Sequence, residues 1–196
     1  MDVLILAGGK GTRMGSIAEK IPKPMVRLGS KPMILRIMES YATQGFKSFI
    51  ILTGYKQEIF KDFFSNLLNY GNDIQIDYSK MKVKFFSENY SDWKVKVIFT
   101  GIESNTGERI KKARKFIDTE LFHITYGDGL SNVDFKSLIK THKEGDNILT
   151  ITAVNPPTKF GELRIKHNKV ESFEEKPKLS AGYINGGFMI ANKKLF

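Results

Sequence analysis

Cysteine is absent from the 196 residues of this chain. That absence excludes a disulfide framework and any metal site built on thiolates, and it fits a protein of the reducing cytoplasm. Long apolar runs are also missing: no stretch approaches the roughly 18 residues that a membrane-spanning helix needs, and no charged-then-apolar leader precedes the first strand. We therefore expect a cytoplasmic protein with no membrane partner and no signal peptide.

Acidic side chains are outnumbered by basic ones, 21 against 31, which leaves a net charge of +10. Proteins this basic often bind nucleic acid or membrane surfaces. Here, however, the lysines are spread through the sequence among acids, and the dense basic cluster is confined to residues 109–115. We expect the positive charge to attract anionic nucleotides and sugar phosphates, and we expect no nucleic-acid partner.

The first thirteen residues organise the chain. Residues 3–6 form an unbroken apolar run suited to a strand that is buried on both faces of a parallel sheet. Gly8, Gly9 and Gly11 follow, and glycine lets backbone N–H groups come close to an anion. Arg13 then supplies a planar donor fork that suits phosphate oxygens. This order predicts a cradle for a nucleotide triphosphate at the carboxyl end of the first strand.

Two better-known phosphate loops fit this segment poorly. A dinucleotide fingerprint would place a third glycine at Met14 and an acidic residue about 20 positions on, where Pro32 and Met33 stand. A P-loop would follow its lysine with Ser or Thr, whereas Lys10 is followed by glycine. By itself, the glycine-rich segment is equally well explained as a plain tight turn.

Lys23 stands between two prolines, Pro22 and Pro24. Because proline fixes φ and restricts the residue before it, we expect Lys23 to be held in extended geometry as a positioned charge. A solvated lysine in a proline turn is the alternative.

These two segments together resemble a known signature. Leu6-Ala-Gly-Gly-x-Gly-Thr-Arg13 followed by Pro22-Lys-Pro-Met25 is similar to that of the sugar-1-phosphate nucleotidyltransferases, and within that superfamily the chain most resembles the glucose-1-phosphate cytidylyltransferase branch. The likeness runs from residue 2 to the last residue. It implies a nucleotide site formed by Leu6, Ala7, Gly8, Gly9, Gly11, Thr12, Arg13, Lys23, Thr100, Gly101, Ser104 and Arg109.

Alternating strand and helix patterns predict an α/β fold. Buried strands are predicted at 3–6, 49–52, 95–99, 121–126 and 149–154. Helices are predicted at 33–43, 57–68 and 135–142, with a short basic helix after Arg109. Late short strands are predicted at 161–165, 169–173 and 183–190. This order indicates a Rossmann-like, doubly wound mixed sheet, in which ligands bind beyond the carboxyl ends of the strands.

Smaller features complete the predicted domain. Apolar alternation over 74–85 predicts a peripheral antiparallel hairpin, with Trp93 packed beneath it. Residues 15–20 are expected to form a mobile flap over the phosphates. His123 lies inside an apolar strand, so we expect it to be buried and hydrogen-bonded rather than catalytic. We expect one domain over 1–196 which, by the resemblance, lacks the superfamily's C-terminal portion and a second metal-binding aspartate there.

Asp128 lies between two glycines at the end of a predicted strand. An accessible carboxylate there suits Mg²⁺, which prefers one or two carboxylates with phosphate oxygens and water. The alternative is an Asx turn that caps the following helix. The resemblance favours the metal, because Tyr126-Gly-Asp-Gly129 is similar to the cytidylyltransferase metal motif.

The resemblance also implies a sugar-phosphate side of the site, formed by Glu175, Lys176 and Asn185. Lys176 precedes a proline, and its charge could neutralise a sugar phosphate and align it with the α-phosphorus of a nucleotide. Without the resemblance, an exposed charge run explains Glu175 and Lys176 equally well. Asn185 stands beside glycine, which would allow its amide to approach sugar hydroxyl groups closely.

The cytosine-reading segment of the superfamily resembles six residues of this chain: Thr100, Gly101, Ser104, Thr106, Gly107 and Arg109. Glu108 departs from that pattern, since the cytidylyltransferases usually carry glycine there. A carboxylate beside a nucleotide loop is unfavourable unless it is paired, and Lys111 and Lys112 are the candidate partners. Backbone groups and small hydroxyls could read cytosine, but the spacing does not exclude uracil.

The implied reaction joins CTP and a sugar 1-phosphate, with glucose 1-phosphate as the expected sugar, to give a CDP-sugar and pyrophosphate. Arg13, Lys23 and Lys176 are the expected catalytic residues, Mg²⁺ is the expected cofactor, and a homo-oligomer is the expected assembly. Two alternatives stay open: a nucleotidyltransferase for another nucleotide or phosphate, and a catalytically inactive nucleotide-binding homologue.

Overall fold

The computed structural model describes residues 1–11, 20–157, 160–175 and 182–196. The apolar runs of the sequence form a six-stranded central sheet. Its strands are β1 (Asp2–Leu6), β4 (Ser48–Thr53), β7 (Lys94–Phe99), β8 (Leu121–Tyr126), β9 (Leu149–Val154) and β12 (Ile184–Asn192). Across the sheet their order is β7-β4-β1-β8-β12-β9. The pairs among β7, β4, β1 and β8 are parallel, whereas β12 is antiparallel to both β8 and β9. The predicted Rossmann-like mixed sheet is confirmed.

Helices cover both faces of this sheet. They are α1 (Met33–Ala42), α2 (Gln57–Ser65), α3 (Leu67–Gly71), α4 (Thr106–Ala113) and α5 (Phe135–Glu144). Because side chains alternate along β1, Val3 and Ile5 pack with α1 and Phe135 on one face, while Leu4 packs with Ala113 of α4 on the other. Two cores result, one on each face, as in a doubly wound fold. Among the helices of the described ranges, none is long and apolar enough to cross a bilayer.

The remaining strands form two-stranded sheets outside the central one. They are β2 (Arg27–Leu28) with β3 (Lys31–Pro32), β5 (Ile74–Asp77) with β6 (Lys82–Phe85), and β10 (Glu162–Lys166) with β11 (Lys169–Glu174). The β5–β6 pair is the predicted peripheral hairpin, and it is antiparallel. Trp93 lies 5.0 Å from Phe49 and 4.8 Å from Tyr90, between ring centroids, so it packs on the central core.

One predicted helix is divided in two. The apolar spacing predicts a helix over 57–68, but α2 ends at Ser65 and α3 begins at Leu67. Asn66 lies between them with φ −109° and ψ 9°, and its side-chain amide donates to the Asp62 carbonyl at 2.8 Å. That bond occupies a carbonyl near the end of α2, as Asn side chains commonly do where a helix stops. The flap predicted over 15–20 lies largely outside the described residues.

His123 is buried, as predicted, and the Met189 backbone is close enough to oppose its pKa shift without completing a hydrogen bond of good geometry. Its ring lies among the rings of Tyr41, Phe46 and Phe135, and neither ring nitrogen meets hydrogen-bond geometry with a described residue. Burial lowers the pKa of His123 to about 4. The aromatic packing therefore holds a neutral imidazole in the sheet core.

Acid should destabilise the fold through His123. Because the pKa is about 4 in the folded state and about 6.5 in an unfolded chain, only the unfolded state gains a proton as the pH falls between those values. The contribution of His123 to the free energy of unfolding is fully present above the pKa of the unfolded chain. It is lost progressively as the pH falls towards the pKa of the folded state, by about 3 kcal/mol in all. Urea unfolding at pH values from 7.5 to 4.5 measures how the free energy of unfolding depends on pH, and His123→Phe should reduce that dependence. An unchanged dependence in that variant would contradict this origin.

Candidate active site

The carboxyl ends of the parallel strands surround one cavity of about 370 Å³. The loops after β1 and β8 and the segment that leads into α4 converge there, as the order of strands predicts. The cavity is lined by Leu6, Ala7, Gly8, Gly9, Gly11, Lys23, Pro24, Ser104, Asn105, Thr106, Arg109, Tyr126 and Asp128. Ten of these thirteen residues carry a predicted role at the nucleotide or metal site, and the lining brings them together. Thr12 and Arg13 lie outside the described residues.

Two glycines of the first loop are required by its geometry. A Cβ on Gly8 would lie 2.1 Å from the Arg109 guanidinium, so a side chain there would displace a buried group. Gly11 has φ +65°, a conformation that side-chain-bearing residues seldom adopt. These constraints bring bare backbone to the cavity, which is the arrangement that an anion cradle needs.

Lys23 and Asp128 form an ion pair at the cavity, with 2.6 Å between Nζ and Oδ2. Both side chains are partly exposed, at 42% and 38%, so the pair adds little to stability and leaves both groups accessible to a ligand. Two residues that are 105 positions apart in the sequence thus supply one cation and one anion to the lining of the cavity.

The backbone at Lys23 differs from the predicted extended geometry. Pro22 is extended, with φ −60° and ψ 142°, and Lys23 begins a short 3-10 helix, Lys23–Met25. Met25 N–H donates to the Pro22 carbonyl at 2.8 Å and closes that turn. Pro24 fits here because its missing N–H is not needed in a first helical turn. The prolines therefore fix Lys23 by starting a turn, and the positioned charge is retained.

The Asx-turn alternative for Asp128 is not what the structure shows. The next helix, α5, is capped by Asp134, whose carboxylate accepts from the N–H groups of Lys136 and Ser137. Asp128 lies six residues earlier and faces the cavity with Lys23. No group of three or more metal-ligating side chains occurs in the described ranges. A lone accessible carboxylate fits Mg²⁺ when phosphate oxygens and water complete the coordination.

Arg109 is buried, with 5% of its surface exposed. Its guanidinium donates to the carbonyls of Gly8, Thr53, Gly101 and Ile102 and to the Thr100 hydroxyl. Burial lowers its pKa, and nearby Glu108 opposes that shift. The side chain thus ties three loops together behind the cavity, which sequence reasoning did not foresee.

Side-chain hydrogen bonds and an ion pair hold the segment from Thr100 to Glu108, both within itself and to neighbouring loops. Thr100 is buried and donates to the Thr53 carbonyl at 2.7 Å, and Ser104 donates to the Thr100 carbonyl. Thr100 and Gly101 thus support the loop, whereas Ser104 reaches the cavity lining. Lys10 of the glycine loop reaches across to Glu103 at 2.5 Å.

Glu108 pairs with neither Lys111 nor Lys112, the partners expected from the sequence. Its carboxylate accepts from the Asn105 N–H at 2.9 Å, and the Asn105 side chain accepts from the Glu108 N–H at 2.9 Å. This reciprocal pair is a capping box at the start of α4. The carboxylate is therefore used to begin the helix, and Asn105, which the sequence analysis overlooked, lines the cavity.

The predicted sugar side is only partly described. The Asn185 amide reaches the Tyr126 hydroxyl at 3.5 Å and accepts from the Gly187 N–H at 2.8 Å. Because Tyr126 lines the cavity, Asn185 adjoins it through that ring. Glu175 is exposed after β11, outside the cavity lining, with its carboxylate near Gly161. Lys176 lies outside the described residues.

Comparison with known proteins places the chain among enzymes. The model of the nucleotidyl transferase family matches residues 2–196. Glucose-1-phosphate cytidylyltransferase of Salmonella typhimurium is 39% identical over 193 residues, which cover 98% of this chain and 75% of the relative. A probable glucose-1-phosphate cytidylyltransferase of Bacillus subtilis is 37% identical over 196 residues, covering 100% of this chain and 76% of the relative. HddC from Yersinia pseudotuberculosis, solved in complex with GMP-PN, is 33% identical with a TM-score of 0.66 and matches 98% of this chain and 77% of that one.

Proposed function

The chain belongs to the nucleotidyl transferase family, and from that premise we propose that it joins CTP to a sugar 1-phosphate, with glucose 1-phosphate as the sugar. The names of two relatives at 39% and 37% identity support this substrate pair. The observation that carries the proposal is the cavity that gathers the glycine loop, Lys23 and Asp128 at the carboxyl ends of the strands. That arrangement suits a nucleoside triphosphate, because backbone N–H groups and a cation that can bind phosphate oxygens face the same space as a carboxylate that can bind a metal ion.

The proposed reaction needs no covalent enzyme intermediate. A phosphate oxygen of the sugar 1-phosphate attacks the α-phosphorus of CTP, the bond from that phosphorus to the α,β-bridging oxygen breaks, and pyrophosphate leaves with that oxygen. Arg13 and Lys23 would neutralise the triphosphate and the departing pyrophosphate, and Lys176 would align the attacking phosphate. Catalysis of this kind depends on positioning and on charge stabilisation.

Asp128 is the proposed ligand of Mg²⁺, which would supply further charge neutralisation on the phosphates. In the structure its carboxylate is held by Lys23. We propose that this ammonium turns to the phosphates when a nucleotide enters, so that the carboxylate is freed for the cation. Glu175 and Asn185 are proposed to contact the sugar phosphate, Asn185 from beside Tyr126.

Residues 1–196 are proposed to act as one nucleotidyltransferase domain of a cytoplasmic homo-oligomer. The lack of cysteine supports the compartment. Apolar side chains exposed on the outermost strand β9, Leu149, Ile151 and Val154, support assembly. Sedimentation as a single species with the mass of one chain would count against the oligomer.

Pyrophosphate release tests the substrate pair. We expect CTP with glucose 1-phosphate to exceed GTP, UTP and dTTP by at least about tenfold in kcat/KM, which corresponds to about 1.4 kcal/mol of discrimination in the transition state. GTP is the competitor of interest, because the solved relative HddC binds GMP-PN. Mannose 1-phosphate serves as the matched sugar control. Preference for another pair would reassign the substrate, and nucleotide binding without turnover would point to an inactive homologue.

A further inference from the structure

A second cavity lies on the outer side of α4, away from the glycine loop. It is an open groove of about 690 Å³ between the end of the edge strand β7 and the segment that continues α4. Four basic side chains line it, Lys111, Lys112, Arg114 and Lys115, together with the rings of Phe99 and Phe116. We call it the basic groove. Its volume lies within the roughly 300–1,000 Å³ typical of small-molecule sites.

The charge of the basic groove is uncompensated. Elsewhere lysines form ion pairs with carboxylates, as Lys47 does with Asp92 and Lys96 does with Asp118. No acidic side chain lines the groove, and none of its four cations forms an ion pair with a carboxylate in the ranges that the structure describes. Lys111 and Lys112 lie in the last turn of α4, and Arg114 and Lys115 follow at once in a short 3-10 turn. Four like charges therefore lie within one short segment and repel one another. A bound anion would relieve this repulsion.

The aromatic rings that line the groove indicate that the anionic group belongs to an organic molecule. Phe99 is 51% exposed, although it ends a strand of the central sheet. Lys115 lies over the ring of Phe116, 5.1 Å from its centroid. Rings beside several cations fit a phosphorylated small molecule, whose phosphate meets the cations while its body covers a ring. The basic residues are confined to one short segment, which favours a compact ligand over the extended backbone of a nucleic acid.

Lys112 separates the groove from the candidate active site. Its ammonium donates to the Thr100 carbonyl and to the Ser104 hydroxyl, each at 2.8 Å. Ser104 lines the first cavity and Lys112 lines the second, and the two linings share no residue. An anion in the basic groove therefore does not occupy the glycine loop.

We propose that the basic groove is a second binding site for a phosphorylated small molecule, distinct from the site of nucleotidyl transfer. Binding there requires no turnover, so the proposal can fail or stand independently of the proposed activity. The shared chemistry of the ligand is a phosphate or pyrophosphate group carried by a compact body.

The test is a titration of the ¹⁵N-labelled protein of residues 1–196, followed by amide shifts, with inorganic pyrophosphate, glucose 1-phosphate and CMP as separate probes. We expect at least one probe to shift the amides of residues 98–99 and 111–116, in addition to any response of the glycine loop. The double variant Lys111→Gln/Lys115→Gln should weaken that response by at least about tenfold, since two charge-assisted contacts are lost. The probe that binds most tightly of the three indicates which group the ligand carries beside its phosphate.

A matched variant separates a built site from general attraction. Lys136→Gln/Lys143→Gln removes two exposed lysines from α5 and should change the groove affinity by less than about twofold. Amide dispersion in both variants verifies that they fold. Three outcomes would overturn the proposal: shifts confined to residues 8–11, equal weakening by the two double variants, or binding of a single-stranded oligonucleotide at 111–116 with no response to the small phosphates.

Discussion

Asp128→Asn and Lys23→Ala are each expected to lower the rate of nucleotidyl transfer by at least about 10²–10³, while the fold survives. Each substitution removes one preorganised charge from the cavity that the glycine loop forms, and losses of that size are typical when such a charge is deleted. The two residues contact each other at 2.6 Å, so either substitution also releases its partner. Initial rates of pyrophosphate release with CTP and glucose 1-phosphate provide the measurement.

The thermal stability of these two variants should hardly change. Exposed ion pairs typically contribute about 0–1 kcal/mol, and this pair is 42% and 38% exposed. For a domain of this size that loss corresponds to a shift in Tm of no more than about 4 °C. A large loss of activity with an almost unchanged Tm therefore separates a functional role from a structural one.

A second ion pair supplies the matched control. Lys47 and Asp92 are joined by the same kind of contact, and they are partly exposed, outside the lining of the cavity. Lys47→Ala and Asp92→Asn should retain wild-type rates. If Lys23→Ala or Asp128→Asn kept more than about a tenth of the wild-type rate, the catalytic assignment would be wrong.

The two substitutions should also differ in their response to metal. Asp128→Asn removes the proposed Mg²⁺ ligand, so Mn²⁺ binding in the presence of nucleotide, followed by electron paramagnetic resonance, should weaken. Lys23→Ala removes the cation that holds the same carboxylate, so metal binding in the absence of nucleotide should tighten. Equal metal affinity in both variants and the wild type would contradict a metal site at Asp128.

The sheet and the first loop were predictable because their signals are local. An apolar run such as 3–6 that ends at glycines is too short for a helix, so its length favours a buried strand. A glycine loop directly after it can only lie at the carboxyl edge of the sheet, where parallel neighbours bring Asp128. The convergence of residues that are distant in sequence followed from the topology alone.

Other features depend on contacts that spacing does not encode. The apolar spacing continues through Asn66, so the break between α2 and α3 was missed. Lys10 and Glu103 are 93 positions apart, and only the folded chain brings them together. The role of Glu108 was visible in principle, because Asn105 and Glu108 have the spacing of a capping box.

Arg109 is the clearest case of a residue that the sequence assigned to the right place without its structural role. A basic residue at a nucleotide loop suggests contact with phosphate or base, and Arg109 does line the cavity. However, its guanidinium donates to four carbonyls and a hydroxyl within the protein. We therefore infer that it positions the loops and that ligands meet its neighbours.

Arg109→Met should destabilise the protein by about 3–5 kcal/mol, because it leaves several buried oxygens without a donor. That loss corresponds to a fall in Tm of roughly 6–20 °C for a chain of this length. Nucleotide affinity should fall as well, since Gly8 and Gly101 lose the contact that joins their loops. Differential scanning calorimetry and nucleotide titration measure the two effects.

Arg164→Met makes the same chemical change on an exposed strand, β10, and should leave Tm and nucleotide affinity within error of wild type. Arg109→Lys distinguishes charge from geometry, because an ammonium keeps the charge but cannot span the oxygens that a planar fork reaches. We expect it to recover less than half of the lost stability. If Arg109→Met lost nucleotide binding with an unchanged Tm, Arg109 would be a ligand-contacting residue, and the positioning role inferred from its five hydrogen bonds would be wrong.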